Sequence, residues 1–390
     1  MNQLDTIRDT RAEIDLDALR QNMRAIRLSV PEGTLISAVI KADGYGHGAT
    51  QIAGVLLDNG ADRLAVAIVE EGIELRKAAI IAPIMILGHT GYQCAEEVVQ
   101  YDLEPCVYRM EDAQRFSDEA VRQKKQIKIH IKINSGMNRI GYFPSLDAEE
   151  EIIRIARLPN IVFESVFTHF CTSDAPDRTF TRLQAERFEH FCTQLEQRGI
   201  PFHLKHCCNS AALIHYPEYS FDMVRAGILL YGLKPSTGMP TGNLACKPVM
   251  SLKTKIVQVR QICPGESVGY GRGYIATEQR TIATLPIGYA DGYPRLLSGK
   301  AEVLIHGCRA KLVGNICMDM CMADVSSIPN VQIGDEVVLF GNQCGAVLPV
   351  DELAGILGTI NYEIVCRIGR RVPRVYIDKG EIVHVQNYLA

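Results

Sequence analysis

The sequence predicts an α/β architecture: a (β/α)8 TIM-type barrel followed by a mostly antiparallel β domain. Three observations predict it. Eight apolar, β-rich runs alternate with amphipathic stretches over the first part of the 390-residue chain. A segment rich in glycine and proline, Lys234 to Gly242, ends that alternation. Beyond it, short β-type runs recur between turn signals.

The eight runs are Ile36–Ile40, Leu64–Val69, Pro83–Leu87, Leu103–Tyr108, Ile127–Ile133, Val162–Phe170, Phe202–His206 and Met223–Leu230. Stretches such as Glu70–Ala79 and Thr181–Gly199 between them carry a helical pattern. Strands alternating with helices pair in parallel through helical crossovers. Eight such units fit a closed barrel, whose usual size is about 250 residues. A doubly wound open sheet is the rival arrangement. The barrel is preferred because the count is eight and the candidate site residues come from several strand ends. Past Lys234–Gly242, the runs Ser251–Ile262, Thr281–Leu285, Ala301–Leu304, Arg309–Val313 and Glu336–Leu339 are punctuated by Cys263-Pro264-Gly265, Ser298-Gly299, His306-Gly307 and Gln332–Asp335. Short strands with regular turns predict an antiparallel domain. The expected division is therefore 1–238 and 239–390. The segment around Arg11–Leu16, within residues 1–15 or so, is a further strand that the second domain could take up.

Composition excludes several functions. The formal net charge is -4 and no polybasic run occurs, so neither nucleic acid nor an anionic membrane surface is expected as a partner. The longest apolar run, Ala78 to Leu87, contains Pro83 and is too short to span a bilayer. The polar, charged stretch Met1–Arg11 does not read as a secretory signal. The 13 cysteines are odd in number and scattered, with no C-x-x-C pair. Reduced thiols in a cytoplasmic protein, with no metal centre, are the simplest expectation. His203-x-x-His206-Cys207-Cys208 has no acidic partner near in sequence and straddles both faces of a strand, which disfavours a metal site.

Lys41 carries the most chemistry. It follows the apolar run Ile36–Ile40 and precedes Ala42-Asp43-Gly44-Tyr45-Gly46-His47-Gly48. Lysine is among the residues least often fully buried, so a strand that delivers one to its carboxyl end either lets it snorkel or uses its amine. Burial lowers an amine's pKa and makes it a nucleophile able to form a Schiff base with an aldehyde, such as that of pyridoxal 5'-phosphate (PLP). Catalytic groups of a (β/α)8 barrel gather at the carboxyl ends of different strands, and phosphate commonly sits after the last two. Arg139 follows the fifth run, His169 ends the sixth, Asn209-Ser210 follows the seventh, and Arg225-Ala226-Gly227-Ile228 lies at the eighth. Ser210 and the backbone N–H groups of Gly227 and Ile228 fall where a phosphate would bind. Each has a structural alternative: Ser210 as a helix cap, Arg139 in a surface ion pair, His169 as a core histidine, Gly227 as strand packing. Their joint placement at one barrel end favours the functional reading.

These motifs carry a resemblance over nearly the whole chain. Ala38-Val39-Ile40-Lys41-Ala42-Asp43-Gly44-Tyr45-Gly46-His47-Gly48 resembles the PLP-lysine signature of the alanine racemases. Gly136–Gly141, Thr168-His169-Phe170, His206–Ala212, Val224–Ile228, Ser267–Gly271, Pro286–Gly292, Gly314–Asp319 and Ile360–Glu363 are similar to further family motifs. Departures are small: Cys207 and Cys208 stand where alanines are common, and Asp43-Gly44 replaces a frequent Asn-Ala.

The resemblance implies a PLP-dependent racemase interconverting L- and D-alanine, with D-alanine feeding peptidoglycan. It implies that Lys41 holds PLP and that Tyr270 is a second base, because a proton must leave one face of Cα and return on the other. It implies a network from His169 and Arg225 to that tyrosine, with Arg225 facing the pyridine nitrogen. Arg139 would bond the PLP phenolic oxygen, and Tyr45, Asn209, Ser210, Gly227, Ile228 and Tyr362 would hold the phosphate end. Met318, with Arg139 and Tyr270, would contact substrate, and Tyr289, Arg295 and Asp319 would form the entrance. Lys132 matches a lysine often carbamylated in the family. The implied assembly is a homodimer in which Tyr270 and Met318 act on the partner's barrel. A serine or broad-specificity racemase is the nearest alternative; a barrel decarboxylase or a non-catalytic PLP carrier lacks support in the second-domain motifs.

Overall fold

The computed structural model describes residues 8–200, 202–240, 242 and 244–389. Residues 1–7 of the N-terminal segment and Thr241 of the segment Lys234–Gly242 lie outside the described residues. The chain divides into two compact units. One contains 19–44 and 49–247; the other contains 1–18, 45–48 and 248–390.

After β1 (Arg11–Asp15), the first unit builds eight parallel strands: β2 (Leu35–Val39), β3 (Arg63–Val66), β4 (Ile84–Ile86), β5 (Glu104–Val107), β6 (Ile127–Lys132), β7 (Ile161–Phe167), β8 (Leu204–His206) and β9 (Met223–Ala226). They pair in the order β8-β7-β6-β5-β4-β3-β2-β9. The two ends of this sheet meet through Asp222 N–H to the Lys205 carbonyl (3.1 Å) and Arg225 N–H to the Cys208 carbonyl (3.0 Å). This is the barrel expected from the eight runs. Strands covered on both faces need continuous apolar runs rather than alternation, and Ile36, Ala38, Val39 and Ile40 are all buried. The outer helices show the complementary stripe. In the helix Thr179–Gln197 the buried Gln184, Phe188, Phe191 and Leu195 recur at helical spacing along one face.

Several runs end sooner than their apolar character predicts, and in two of them a helical turn begins within the run. The strand within Met223–Leu230 stops at Ala226, because Gly227 (φ -118°, ψ -105°) leaves the extended region and Ile228–Tyr231 forms a 3-10 turn. Likewise Val69 opens the helix Val69–Lys77 instead of closing β3.

The second unit is dominated by one large sheet. Its strands are β10 (Met250–Lys255), β11 (Gln258–Ile262), β14 (Arg280–Leu285), β15 (Glu302–Ile305), β16 (Cys308–Val313), β17 (Cys321–Asp324), β18 (Glu336–Gln343), β19 (Ala346–Leu348), β20 (Arg374–Asp378) and β21 (Glu381–Gln386). A separate hairpin joins β12 (Ser267–Val268) to β13 (Tyr274–Ile275). In the large sheet β1 is a member, antiparallel to β10 and parallel to β20, and the other pairings are antiparallel. Ile262, Val268, Ala276, Ile282 and Val313 form a core cluster beneath the hairpin strands. Among the described residues no helix is long and apolar enough to cross a membrane.

Candidate functional site

Lys41 is the first residue beyond Ile40 at the end of β2, and the chain then makes a left-handed turn. The left-handed conformation begins before the first glycine of the segment. Ala42 (φ 52°), Asp43 (φ 54°) and Tyr45 (φ 52°) adopt the same left-handed conformation as Gly44 (φ 61°). For residues with a Cβ this region costs roughly 1–2 kcal/mol each. The surroundings supply the compensation. Glu71 accepts Ala42 N–H at 2.6 Å with one carboxylate oxygen and Ala67 N–H at 2.7 Å with the other. Asp43 accepts Ala49 N–H at 2.8 Å, and Gly44 N–H donates to the Ile40 carbonyl at 2.8 Å. Sequence reading missed Glu71; its only signal is an acidic residue in the first turn of the helix that follows β3.

The register of the barrel brings the strand ends together. β2 pairs with β9 so that Ser37 lies opposite Arg225, and on the other side Lys132 lies opposite Phe167 and Phe167 opposite His206. Lys41, Lys132, Arg139, His169 and Arg225 line one cavity of about 310 Å³, with His89 and Phe167 among its other walls. Of the lining residues several are cationic and none is a carboxylate. The joint placement read from the sequence is thus found for Lys41, Arg139, His169 and Arg225.

Arg225 is buried and donates to four neutral acceptors: His206 Nδ1 (2.6 Å), the Thr168 carbonyl (2.9 Å), the Cys207 carbonyl (2.9 Å) and His169 Nδ1 (3.2 Å). Burial pulls its pKa down to about 10, which still leaves the guanidinium charged near neutral pH. Lys132 is also buried, with its ammonium nitrogen 4.5 Å from the Phe167 ring centre. Burial first, and the Arg225 charge next, push its pKa well below the usual lysine range. His169 is held well below the ordinary histidine value by burial and then by Arg225, Lys132, Arg139 and Lys41, so its ring is neutral. Both His169 and Arg139 line the cavity, and Arg139 has no ion pair among the described residues.

Asn209, not Ser210, caps the helix Ser210–His215, accepting Ala212 N–H at 2.9 Å. Ser210 is buried and its Oγ accepts the Gly227 N–H at 2.9 Å, immediately before the turn that Ile228 opens.

The remaining candidates belong to the other unit. Tyr45 and Tyr362 face each other there, with ring centres 6.0 Å apart. Their neighbour Gly46 (φ 81°) sits so close to the Val365 carbonyl that a Cβ would come within 2.4 Å of it. Tyr270, Met318 and Asp319 line an open groove of about 920 Å³. Tyr270 is 70% exposed and Met318 52% exposed. Tyr270 is presented between two left-handed glycines, Gly269 (φ 76°) and Gly271 (φ 68°), and its carbonyl accepts from Asn315 Nδ2 at 2.7 Å. Tyr289 is exposed and anchored by its N–H to the Cys317 carbonyl (3.1 Å). Arg295 opens the short turn Arg295–Leu297, and Asp319 accepts from Arg371 at 2.8 Å. No cluster of three or more potential metal ligands occurs among the described residues.

A closed parallel barrel with a strand-end lysine in a cationic cavity, carried on one chain with a β domain, defines a class of barrel proteins equipped for an anionic, carbonyl-bearing ligand. Comparisons narrow the class. Residues 14–235 match the family described as "Alanine racemase, N-terminal domain", and residues 249–376 match "Alanine racemase, C-terminal domain". Alanine racemase 1 of Clostridium acetobutylicum is 45% identical over 98% of this chain and 99% of its own. The solved structure of alanine racemase from Clostridium difficile 630 superposes with a TM-score of 0.95 at 41% identity, over 98% of this chain and 99% of its own. Its complex with cycloserine gives a TM-score of 0.92 at 40% identity, with the same coverage of each chain. The chain belongs to the alanine racemase family.

Glu71 is expected to hold the turn that presents Lys41. Glu71→Ala should lower unfolding free energy by about 2 kcal/mol, the scale of bonds to a charged acceptor. Glu71→Gln, with a single acceptor oxygen, should lose less. Urea midpoints of the two variants and the parent check this; a Glu71→Ala midpoint equal to the parent's would mean the turn holds itself.

Proposed function

We propose that this protein interconverts L- and D-alanine with PLP as cofactor, supplying D-alanine for peptidoglycan from the cytoplasm. The observation that carries the reading is the cationic cavity into which β2 delivers Lys41, in a chain of this family. The donor set fits the cofactor. PLP brings an aldehyde, a phosphate and a phenolic oxygen; the cavity offers an amine and several cations with no competing carboxylate. Lys41 would hold it covalently. Arg139 would meet the phenolic oxygen, and Tyr45, Asn209, Ser210, Gly227, Ile228 and Tyr362 the phosphate end. When bound, PLP supplies an electron sink that acidifies the proton on Cα of the amino acid.

The residues of the chain do the rest. Lys41 Nζ, freed when the substrate's amino group takes its place, would take or return a proton on one face of Cα, and the Tyr270 hydroxyl would do so on the other. Arg225 would face the pyridine nitrogen; its guanidinium, still charged with a pKa of about 10, would donate a hydrogen bond there without giving up its proton near neutral pH. A ring nitrogen left unprotonated is a weaker sink, which restrains side reactions such as transamination. His169, neutral and bonded to Arg225, is placed to orient donors around the reacting carbon. Lys132, pushed toward its neutral amine, is chemically ready to add to carbon dioxide with loss of a proton, giving a carbamate anion able to orient Arg139. Met318 would contact the substrate carboxylate with Arg139, and Tyr289, Arg295 and Asp319 would guard the entrance.

We propose the division 1–238 and 239–390 for the cofactor-binding and β domains, with β1 of the first stretch added to the sheet of the second, and a homodimer in which Tyr270 and Met318 of one subunit complete the barrel site of the other. The exposure of Tyr270 supports this reading, since a proton donor in catalysis needs a partner surface to exclude water around it. The interface should be of obligate size, above about 2,000 Å² in total.

Three outcomes are expected. Purified protein should racemise L-alanine faster than L-serine or L-lysine, measured by chiral analysis of products; no turnover of alanine would end the reading. Tyr270→Phe should retain the cofactor's visible absorbance yet lose roughly 10²–10⁴-fold in turnover, the usual weight of a general acid–base. Since both directions must slow alike at equilibrium, the diagnostic measurement is Cα exchange in deuterated water, which should become unequal between enantiomers; symmetric, undiminished exchange rules Tyr270 out. Mixing Lys41→Ala with Tyr270→Phe protein, under subunit exchange, should restore activity, because each mixed dimer would contain one site with both lesions and one with neither. Proven heterodimers without activity would place both residues in the same chain's site.

A further inference from the structure

Beneath the cavity a hydrogen-bonded chain runs through the interior of the barrel, away from the strand ends. Its links are Arg225 to His206 Nδ1 (2.6 Å), His206 Nε2 to Ser165 Oγ (2.9 Å), Ser165 Oγ to His130 Nδ1 (2.6 Å), and His130 Nε2 to Glu104 (3.0 Å). Every member is buried. Donor chemistry sets the direction of every link. A guanidinium only donates, so His206 Nδ1 accepts. A neutral imidazole then carries its proton on Nε2 and donates to Ser165. The serine hydroxyl, already accepting there, points its hydrogen at His130 Nδ1, and His130 Nε2–H donates to the Glu104 carboxylate. A doubly protonated His206 would set a hydrogen against the Arg225 N–H at 2.6 Å, and burial followed by the Arg225 charge holds its pKa well below the usual histidine value. The far end is anchored by ion pairs of Glu104 with Arg63 (3.0 Å) and, more distantly, Lys128 (4.0 Å).

One irregularity makes the chain possible. Pairing between β6 and β7 passes from Ile129↔Phe163 to His130↔Ser165, leaving Glu164 as the extra residue of a bulge. Glu164 and Ser165, adjacent in sequence, therefore both join interior contacts, Glu164 with Arg63 and Ser165 with both histidines.

We propose that Ser165, His130 and Glu104 are positioning residues: they fix the tautomer of His206 and so hold Arg225 aimed at the bound cofactor. The inference rests on the reading that Arg225 faces that cofactor, and it goes further by assigning the relay behind it. With a carboxylate at one end and a donor-only cation at the other, only one arrangement of hydrogens satisfies every member. Without Ser165, His206 Nε2–H loses its acceptor; without His130, the Ser165 hydrogen loses its acceptor and can turn onto His206 Nε2 instead; in either case the opposite tautomer competes, and it cannot accept from Arg225.

The test uses holoenzyme labelled with ¹⁵N-histidine, with Ser165→Ala as the break and Ser165→Thr as the conservative variant that keeps the hydroxyl. In the parent, His206 should show a single Nε2–H tautomer. Ser165→Ala should show a mixture of tautomers at His206 and a turnover number for alanine lower by about 10-fold, the scale of supporting-shell losses, with KM little changed. Ser165→Thr should restore both. Should Ser165→Ala fail to fold, His130→Phe keeps the ring and removes both nitrogens, and the same pair of changes is expected. A single Nε2–H tautomer in the broken variant overturns the proposal, whatever its turnover; so does a tautomer mixture with parental turnover. A parent protein that racemises nothing would defeat the functional reading instead, while the tautomer measurement would still stand or fall separately.

Discussion

A buried guanidinium without a carboxylate organises the carboxyl end of this barrel. Desolvating a charge is expensive unless bonds replace the lost water. Arg225 meets that demand with four neutral acceptors drawn from β8, the segments after β7 and β8, and a histidine ring. The unneutralised positive charge then shapes its neighbours. Burial first, with this charge added, pushes Lys132 toward the free amine and keeps His169 and His206 neutral. A pocket of this kind is costly as a stability device and is well suited to an anionic ligand, whose charge would supply the missing counterpart.

Backbone strain is the second constraint. The turn after Lys41 places Ala42, Asp43 and Tyr45 in the left-handed region, where only glycine is at ease. Such conformations persist where surroundings over-determine them, and they concentrate at functional sites. Here Glu71 and the Asp43 side chain supply the bonds. Further along, the glycines meet other groups too closely for any Cβ, as at Gly46 against the Val365 backbone carbonyl and Gly48 beside the Tyr376 side-chain hydroxyl. Strain and close approach thus fall on the same few residues that present the lysine.

The two units express different folding logic. The barrel strands are largely buried, and the apolar runs that carry them are easily counted. The β domain relies on half-exposed strands, and its shorter members escape periodicity: the hairpin of β12 and β13 has two residues per strand. Membership of β1 in the large sheet depends on pairing with β10 and β20, residues far away in the chain, which no local pattern contains.

What the sequence determined by itself was the eight-fold alternation, the second β domain and the gathering of Lys41, Arg139, His169 and Arg225 at one end of a barrel. Those follow from periodicity and from strand-end position, both local properties of the chain. It also pointed to the family, because the glycine-rich turn after Lys41 and the second-domain motifs are long and specific. Tertiary structure alone decided the rest. Glu71 became a support for Lys41 because β2 and β3 are neighbours, bringing its carboxylate to Ala42. His206, which from sequence suggested only a weak metal cluster, became the acceptor for Arg225 once barrel closure set β8 beside β9. Ser165 joined it through a bulge that breaks the alternation on which strand reading depends. Side chains assembled across non-adjacent segments, and the tautomers their mutual bonds impose, arise only when the ring of strands is closed.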